Sequence, residues 1–512
     1  MSKQKKADPI IASVLRIVLV ACVILLQLLL IILLVQLLRN KAIYVYLAIE
    51  VIALINIFAL VNRSRNSAFT IAWMMIIFFL PVFGFLLYRL WGRQGTSGKK
   101  YDKLRVSIAY ANTMRKTSSD AQQHLFSKHP SRKRFSAFLN QEGYPVYENT
   151  SCTYYPLGEQ QFDAILEDME KAEKFIFLEY YILHSGDLFD RISAILKKKA
   201  AQGLEIRIMY DDWGNLLSVP ADLEELKQAG VQIVCYNPIH KYISKLYINY
   251  RNHQKVTVID GNIGYTGGTN IADEYVNIHS KVGHFKDTGI RLEGEAVWSL
   301  TTIFLQMWDG ETGEHSEYTR YAPTITKESN GFIQPYADGP LKRVGKPTEV
   351  MYRSMISNAR EYLYLSTPYL VIDNTMTETL CTAAISGVDV RLVVPKICDH
   401  WPVHMVTQSN YGALLKAGVR IYEYTPGFIH AKTMLSDDEH AITGSINMDY
   451  RSFYFHFENG VWICGSPVIK DIKQDFLDTI LLSSEVFYKD WRKRPFHIRM
   501  AQGFFRLFSV ML

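Results

Sequence analysis

Paired cysteines and a strong charge of either sign are missing from this sequence. The six cysteines are scattered along the 512 residues, and no two of them form a CxxC pair. Neither a structural zinc site nor a disulfide framework is therefore indicated. The formal net charge is only +6 at pH 7, which is small for a protein dedicated to nucleic-acid binding. We expect no nucleic-acid partner, while mild basicity suits work beside an anionic surface.

A secretory signal peptide is also missing, because the N-terminus carries three long apolar runs instead of one short run and a cleavage site. The runs cover residues 17–38, 42–61 and 70–90, and each approaches the roughly 20 residues that cross a bilayer as a helix. Residues 1–94 are thus predicted to form a membrane domain with two or three transmembrane helices. The first run is the one that could lie at the interface instead of spanning.

Basic side chains are concentrated directly after the third run. They are Arg93, Lys99, Lys100, Lys103 and Arg105. Because loops rich in lysine and arginine tend to stay in the cytoplasm, we expect a multi-pass membrane protein whose remaining residues lie on the cytoplasmic side.

The chain beyond residue 94 is too long for one hydrophobic core, which rarely grows past about 250 to 300 residues. Residues 95–142 are polar, basic and weakly periodic, and we interpret them as a linker with a surface helix. Residues 491–512 combine cations with bulky apolar side chains, which favours a basic amphipathic helix at a membrane interface. A helix docked on the protein is the alternative for that segment.

An internal repeat organises the rest of the chain. The order strand, helix, strand in residues 174–211 recurs in residues 361–395, and LKQAGVQIVCYNP then matches LLKAGVRIYEYTP without a gap. Strands that alternate with helices of about 10 to 15 residues indicate α/β lobes. We predict an α/β fold with two repeated lobes, residues 143–325 and 326–490, that together form one pseudo-twofold unit.

The repeat includes a polar and glycine-rich run, HQKVTVIDGNIGYTGGTN, that begins at His253. Its specified positions are His253, Lys255, Asp260, Gly267, Gly268 and Asn270, and they recur at identical spacing as His430, Lys432, Asp437, Gly444, Ser445 and Asn447. A match of this length at corresponding places of a repeat is not an accident of composition. Another His-x-Lys, at residues 279–281, lacks the later aspartate and glycines, and we interpret it as surface residues.

A histidine and a lysine on alternate residues point to the same side of an extended chain. The lysine repels a metal cation, whereas both side chains suit a phosphate. The imidazole can attack phosphorus or transfer a proton, and the ammonium neutralises the oxyanion. Displacement at a phosphodiester needs both a nucleophile and an acid, and one copy of the motif has one imidazole. The two copies are therefore predicted to face each other between the lobes.

The duplicated HxKxxxxD pattern followed by GGxN or GSxN resembles the phospholipase D superfamily. The resemblance implies a mechanism without metal or other cofactor, in which one histidine forms a phosphohistidine and the other acts as general acid. It assigns the nucleophile to His253 and the acid to His430. The residues that it places at the phosphate are Lys255, Lys432, Asn270, Asn447, Gly268 and Ser445. The motif aspartates Asp260 and Asp437 belong to the catalytic motif but mostly support the local fold in that superfamily.

Two acidic residues follow the motifs, Asp287 in HFKDTGIRLEG and Glu458 in FHFEN. They occupy places at which the superfamily orients its histidines through hydrogen bonds to a carboxylate. We expect the same role here, with an exposed, salt-bridged acid as the equal alternative for Asp287.

Stretches such as LEYYI, NYRNHQK, GYTGGTNIADEY, FIHAKTM and GSINMDYRSF resemble one branch closely, the bacterial cardiolipin synthases. That branch implies reversible transfer of a phosphatidyl group from one phosphatidylglycerol to another, which yields cardiolipin and glycerol, with membrane lipids as partners. A phospholipase D-type phosphodiester hydrolase is the alternative. The chain departs from the branch in its apolar run at residues 17–38 and in Gly268, where others carry serine. The basic, aromatic residues 241–251 could cover anionic headgroups or form an ordinary surface loop.

Overall fold

The computed structural model describes residues 41–63, 67–92, 98–115, 119–216, 222–238, 249–328, 331–341 and 345–511, together with a few single residues. The apolar run predicted at residues 17–38 and most of the stretch at 241–251 lie outside this set. The chain forms two compact units. One contains residues 1–95, 238–249 and 503–512, and the other contains residues 96–237 and 250–502.

The first unit contains three helices in the region of the second and third apolar runs. They are α1 (Ala42–Arg63), α2 (Ser67–Phe79) and α3 (Pro81–Leu87), and a π-helical turn follows at Tyr88–Gly92. Within the described residues, one helix is long and apolar enough to cross a membrane, over Ile43–Asn62. The third run is interrupted at Pro81, because proline has no N–H for the helical ladder and its ring collides with the preceding turn.

Residues 98–141 form three helices of the second unit, which corrects their interpretation as a linker. The helices are α4 (Lys99–Met114), α5 (Ser119–Lys128) and α6 (Lys133–Gln141). Leu104 and Ala111 of α4 are buried, and the buried Arg115 donates to the Gly143 carbonyl and the Thr302 hydroxyl, each at 2.8 Å. The apolar stripe of α4 is narrow, so its polar majority concealed the periodicity.

The first lobe is built on a mixed seven-stranded sheet. Its strands are β1 (Thr150–Tyr155), β2 (Phe175–Tyr180), β3 (Glu205–Asp211), β4 (Gln232–Tyr236), β5 (Val256–Ile259), β6 (Ile263–Gly267) and β8 (Gly289–Gly294), in the order β1-β8-β6-β5-β2-β3-β4. The short strand β7 (His284–Lys286) lies outside this sheet. The helices of the first lobe are α7 (Gly158–Glu170), α8 (Asp187–Ala201), α9 (Leu223–Gln228) and α10 (Val297–Thr312).

The second lobe is built on an eight-stranded sheet. Its strands are β9 (Phe332–Asp338), β10 (Tyr362–Ser366), β12 (Asp389–Pro395), β13 (Arg420–Tyr424), β15 (Thr433–Ser436), β16 (His440–Gly444), β18 (Glu458–Cys464) and β19 (Ser483–Val486), in the order β19-β13-β12-β10-β15-β16-β18-β9. Short strands outside it are β11 (Leu370–Val371), β14 (Gly427–Ile429) and β17 (Met448–Asp449). Its helices are α11 (Pro347–Asn358), α12 (Asn374–Ile385), α13 (Trp401–Ala417) and α14 (Val468–Leu481).

The two sheets repeat each other, as the sequence predicted. Read from the opposite edge, β9-β18-β16-β15-β10-β12-β13 follows the same path as β1-β8-β6-β5-β2-β3-β4, and β19 adds one edge strand. In each sheet, one strand directly follows the His-x-Lys part of the motif. This strand, β5 or β15, runs antiparallel to both of its neighbours. The internal repeat therefore includes the sheet topology as well as the amino-acid sequence.

The lobes join along short backbone contacts and a shared core. Strand β7 of the first lobe pairs in parallel with β14 of the second, with Phe285 opposite Phe428, and Asn252 forms a bridge to Phe457. One buried cluster contains Phe177 of the first lobe as well as Tyr364 of the second. This continuous apolar burial makes the two lobes one unit.

The motif aspartates lie at the far ends of β5 and β15 from the histidines. Asp260 accepts hydrogen bonds from the backbone N–H groups of residues 173–175 at 2.7–2.9 Å, and Asp437 does the same for residues 360–362 at 2.9–3.2 Å. Both have a left-handed backbone, with φ of 55° and 58°, which aspartate tolerates better than most residues. Each aspartate thereby holds the start of the neighbouring strand, β2 or β10.

The C-terminal segment is helical and combines features of both interpretations. It contains α15 (Tyr488–Arg492) and α16 (Phe496–Leu507). The Trp491 indole donates to the Gln408 carbonyl at 2.8 Å, so the segment is docked at its beginning. On α16 an apolar row is exposed, and it consists of Phe496, Met500, Phe504 and Leu507.

Candidate active site

The four basic motif residues directly precede two equivalent strands. His253 and Lys255 lead into β5, and His430 and Lys432 lead into β15. All four are buried, at 1–7% exposure. Because β5 and β15 are central in their sheets and start at the junction of the lobes, the extended chain before each strand delivers one histidine and one lysine to the same place.

Each histidine is held by the other lobe at two points. The backbone N–H of His253 donates to the Phe457 carbonyl at 2.9 Å, and its Nδ1 lies 2.9 Å from Oε1 of Glu458, the next residue. The arrangement is mirrored in the second motif, where the backbone N–H of His430 donates to the Lys286 carbonyl at 2.7 Å. Nδ1 of His430 lies 2.5 Å from Oδ2 of Asp287.

These contacts join each motif histidine to one of the two acids that were predicted from the sequence to orient them. The carboxylates are fully buried, so the alternative of an exposed, salt-bridged acid at position 287 does not describe this structure. The crossing between lobes is the feature that the sequence could not show, because each acid follows the motif of its own lobe and contacts the histidine of the other.

The carboxylates select one tautomer of each imidazole. A neutral histidine whose Nδ1–H donates to a carboxylate keeps the lone pair on Nε2. Burial and then the charge of Lys255 hold the pKa of His253 well below its usual range. Burial and then the charge of Lys432 lower the pKa of His430 to about 4, although Asp287 opposes the shift. Both imidazoles are therefore neutral near pH 7 in the free protein.

The two lysines are fixed by the carbonyls of their own motif histidines. Nζ of Lys255 donates to the His253 carbonyl at 2.6 Å, and Nζ of Lys432 donates to the His430 carbonyl. Burial is the main cause that lowers the pKa of Lys255 to about 7 and that of Lys432 to about 8, while Glu458 and Asp287 act in the opposite direction. A bound anion would restore their positive charge.

The glycines at the ends of β6 and β16 allow close approach of the neighbouring strand. A Cβ at Gly267 would lie 2.4 Å from the Thr288 carbonyl oxygen, and one at Gly444 would lie 2.4 Å from that of Asn459. Both distances are below van der Waals contact, so only glycine fits. The two glycines therefore let the segment that carries the acid lie directly beside the motif.

The next residue in each motif, Gly268 or Ser445, lies against a carboxylate, and its contact with phosphate stays a prediction. A Cβ at Gly268 would lie 2.1 Å from Oδ1 of Asp287, so the missing side chain makes room for that carboxylate. At the equivalent place, the Ser445 hydroxyl donates to Oε2 of Glu458. The first motif thus has glycine where the second has serine, and the acid beside Gly268, Asp287, differs from the acid beside Ser445, Glu458, in having the shorter side chain.

The two motif asparagines, Asn270 and Asn447, are buried. Oδ1 of Asn270 accepts from the Ile182 N–H at 3.1 Å, which leaves its amide N–H group directed elsewhere. Oδ1 of Asn447 is buried and finds no hydrogen-bond partner among the described residues. An amide held this way can donate to phosphate oxygens, and the role of both asparagines at the phosphate stays a prediction.

Several side chains at the site were not identified from the sequence. The Ser452 hydroxyl donates to Oε1 of Glu458 at 2.8 Å. Tyr181 and Tyr275 place their rings 5.0 and 5.3 Å from those of His253 and His430. The His456 ring lies 5.4 Å from that of His253. One signal was available, since His456 and Glu458 alternate in FHFEN and alternate residues share a face.

Among the described residues, two groups of side chains have the geometry of a potential metal site, and one of them lies here; the other is Asp187, Asp273 and His279. Possible ligand atoms of His253, His456 and Glu458 lie within 4.8 Å of one another. However, Glu458 already accepts from two serine hydroxyls, and the ammonium groups of Lys255 and Lys432 lie close enough to depress the pKa of His253. Cations at that range oppose a metal ion, so the chemistry of the surroundings favours an anion.

The arrangement as a whole suits displacement at phosphorus. It offers two neutral imidazoles with free Nε2 lone pairs, two lysines that become charged beside an anion, and two buried amides. A phosphodiester carries one negative charge and needs a nucleophile on one side and a proton donor on the other. Both requirements are met only by the two lobes together.

Comparison with known proteins agrees with this chemistry. The family model described as "Cardiolipin synthase, PLD-like domain" matches residues 165–308 and 352–480, and the one described as "Phospholipase_D-nuclease N-terminal" matches residues 42–93. A cardiolipin synthase of Geobacillus kaustophilus is 35% identical over 453 residues, which are 88% of this chain and 90% of the relative. One of Listeria monocytogenes is 33% identical over 481 residues, which are 91% of this chain and 99% of the relative.

A solved structure shares the two-lobed fold. Phosphatidylserine synthase of Haemophilus influenzae superposes with a TM-score of 0.57 at 15% identity, and the alignment covers 75% of this chain and 100% of that one. At so low an identity the likeness concerns the fold alone. The family model and the full-length relatives decide the assignment: the chain belongs to the cardiolipin synthase family of phospholipase D-like proteins.

Proposed function

We propose that this protein transfers a phosphatidyl group from one phosphatidylglycerol to another and thereby makes cardiolipin and glycerol. The observation that carries the proposal is the pair of crossed contacts, His253 with Glu458 and His430 with Asp287. These contacts orient two imidazoles for use on one phosphodiester. The membrane segment and the similarity to full-length cardiolipin synthases support a lipid as that phosphodiester.

In the first step, Nε2 of His253 attacks phosphorus and the bond from phosphorus to the glycerol oxygen breaks. His430, protonated at Nε2 once the anionic substrate has raised its pKa, gives its proton to the leaving oxygen. Lys255 and Lys432 neutralise the phosphate oxygens, and Asn270 and Asn447 donate hydrogen bonds to them. Free glycerol and a phosphatidyl-histidine result. The assignment of nucleophile and acid follows the superfamily resemblance.

In the second step, a glycerol hydroxyl of the next phosphatidylglycerol attacks the phosphatidyl-histidine. Neutral His430 takes the proton of that hydroxyl, the bond from phosphorus to His253 breaks, and cardiolipin leaves. The reaction is reversible because the bonds made and broken are alike. Water can replace the lipid hydroxyl and give phosphatidic acid, so transfer depends on an acceptor held close in a site that excludes water.

The membrane segments bring the site to its substrates. We infer that the protein crosses the bacterial plasma membrane more than once, with α1 as one span and both lobes in the cytoplasm. The exposed apolar row of α16 lies near Arg499 and Arg506, which fits a helix in the headgroup region of an anionic bilayer. Tethering confines two lipid substrates and the site to one surface.

Purified protein in liposomes of labelled phosphatidylglycerol tests the reaction directly. We expect cardiolipin and glycerol in equal amounts from the wild type, and no cardiolipin above background from His253→Ala or His430→Ala. Phosphatidic acid without cardiolipin would show a hydrolase of the phospholipase D type instead. Full synthesis by His253→Ala would overturn the mechanism.

The crossed contact predicts a large effect of Glu458→Gln, which keeps the shape but removes the charge that fixes the His253 tautomer. We expect kcat to fall about 10²- to 10⁴-fold, as when other orienting carboxylates are replaced by amides. Ser452→Ala is the matched control, because it removes one donor to Glu458 and should cost less than about tenfold. Equal losses in the two variants would contradict the orienting role.

The pKa shifts of the lysines predict the pH dependence. Lys255 and Lys432 are charged below pKa values of about 7 and 8 and lose their charge as pH rises through them. Since kcat/KM reports the free enzyme, in which the general acid His430 is neutral above its pKa of about 4, it should fall as pH rises above that value and fall more steeply above about pH 7 to 8. The kcat at saturating lipid should decline at higher pH, because bound phosphate raises both pKa values. A flat kcat/KM up to pH 9 would contradict this account.

The proposed topology predicts opposite protease patterns in two vesicle preparations. Both lobes should be digested in inside-out vesicles of the cell membrane and protected in right-side-out vesicles. A fluorophore attached in place of Phe504 should also be quenched by lipids brominated on their acyl chains, if α16 lies in the interface. Digestion of the lobes in right-side-out vesicles would reverse the proposed orientation.

A further inference from the structure

The active site is symmetric in its histidines, lysines and asparagines but not in the charge beside them. Counting four residues from each motif asparagine, the first lobe has Glu274 and the second has Arg451. Glu274 follows Asn270 in GGTNIADE, and Arg451 follows Asn447 in GSINMDYR. The two repeats therefore have an acidic residue at one of two equivalent positions and a basic residue at the other.

Arg451 is connected to the catalytic histidine of the first lobe through one ring. Its Nε donates to Nε2 of His456 at 3.3 Å, and the His456 ring lies 5.4 Å from the ring of His253 at an angle of 39°. Nδ1 of His456 lies 3.7 Å from Glu458, the acid that orients His253. Arg451 is therefore one hydrogen bond and one ring away from the His253 imidazole.

The surroundings keep this arginine positively charged and its partner neutral. Burial is the main cause that lowers the pKa of His456 to about 3, so its Nε2 lone pair is available to accept from Arg451. Burial lowers the pKa of Arg451 as well, and nearby Asp449 opposes the shift. An arginine remains charged under such conditions because its ordinary pKa is above 12.

The proposed reaction requires a place for a second phosphate. Each phosphatidylglycerol carries one phosphodiester, and cardiolipin carries two that are joined through the three carbons of a single glycerol. While one phosphate lies between His253 and His430, that of the acceptor must lie a glycerol's length away. The residues bound to the first phosphate, Lys255 and Lys432, are already engaged there.

We propose that Arg451, positioned by His456, binds the phosphate of the acceptor phosphatidylglycerol and so makes the enzyme prefer a phospholipid acceptor over water or free glycerol. The inference rests on the proposed function and names a specificity-determining residue for it. A guanidinium group is of the kind that matches phosphate oxygens, and Arg451 is one hydrogen bond and one ring away from His253.

Two reactions of the same enzyme separate this role from a general one. Cardiolipin formation needs an acceptor with a phosphate, whereas exchange of labelled glycerol into phosphatidylglycerol uses the same donor and histidines with an uncharged acceptor. In Arg451→Gln we expect the ratio of cardiolipin formation to glycerol exchange to fall about ten- to a hundredfold, the usual effect of losing a hydrogen bond between charged groups. The KM for acceptor phosphatidylglycerol should rise.

Matched variants control the experiment. Arg451→Lys keeps the charge and should restore part of the ratio, and Glu274→Gln, at the equivalent position of the first lobe, should not lower it. An equal fall of both reactions in Arg451→Gln would mean that Arg451 only supports His253 through His456, and an unchanged ratio would exclude an acceptor contact. Either result overturns the inference. If the wild type makes no cardiolipin at all, the proposed function itself fails, which is a different outcome.

Discussion

The crossed pairing of histidine and carboxylate is the interaction on which the rest of the structure depends. Neither lobe has a complete site, because His253 is oriented by Glu458 and His430 by Asp287. Two backbone hydrogen bonds next to the acids repeat the crossing and fix the distance between the lobes. Catalytic geometry and the packing of the lobes are therefore one constraint. A shift of one lobe against the other would break both pairs together.

Burial gives this constraint its chemical consequences. Six ionisable groups lie in a volume from which most water is excluded. Each histidine is neutral because burial, and then the charge of a neighbouring lysine, lowers its pKa. The lysines in turn lose part of their basicity until an anion arrives. The free site is thus poised for a substrate with one negative charge, and binding completes its electrostatics.

Departures from symmetry carry the specific features of this protein. The first lobe combines Gly268 with the shorter acid Asp287, while the second combines Ser445 with Glu458. Both solutions hold a carboxylate against the opposite histidine, so they are equivalent in function. The exchange of Glu274 for Arg451 is of another kind, because it changes the charge beside the site. A duplicated fold supplies two equivalent halves of an active site. Sequence differences between the halves are needed to distinguish the donor substrate from the acceptor.

Much of the fold and the site could be predicted from the sequence, because a repeat shows which residues matter without any structure. The two α/β lobes and the paired motifs followed from spacing alone. The structure differed where local pattern is a weak guide. The polar helix α4 contacts the core through a narrow stripe, Pro81 divides the third apolar run, and Gly268 and Ser445 contact carboxylates of the strands beside them. The roles of His456 and Ser452 could not be predicted from the sequence, because only the folded chain brings them beside His253 and Glu458.

By itself the sequence determined the kinds of groups at the site and their number, since residue type and spacing are local properties of the chain. Only the tertiary structure decided which acid orients which histidine and what lies beside each of them. Those relations join residues more than 140 positions apart, such as Asp287 with His430. They depend on how two separately folded sheets meet, and the packing of their shared core settles that.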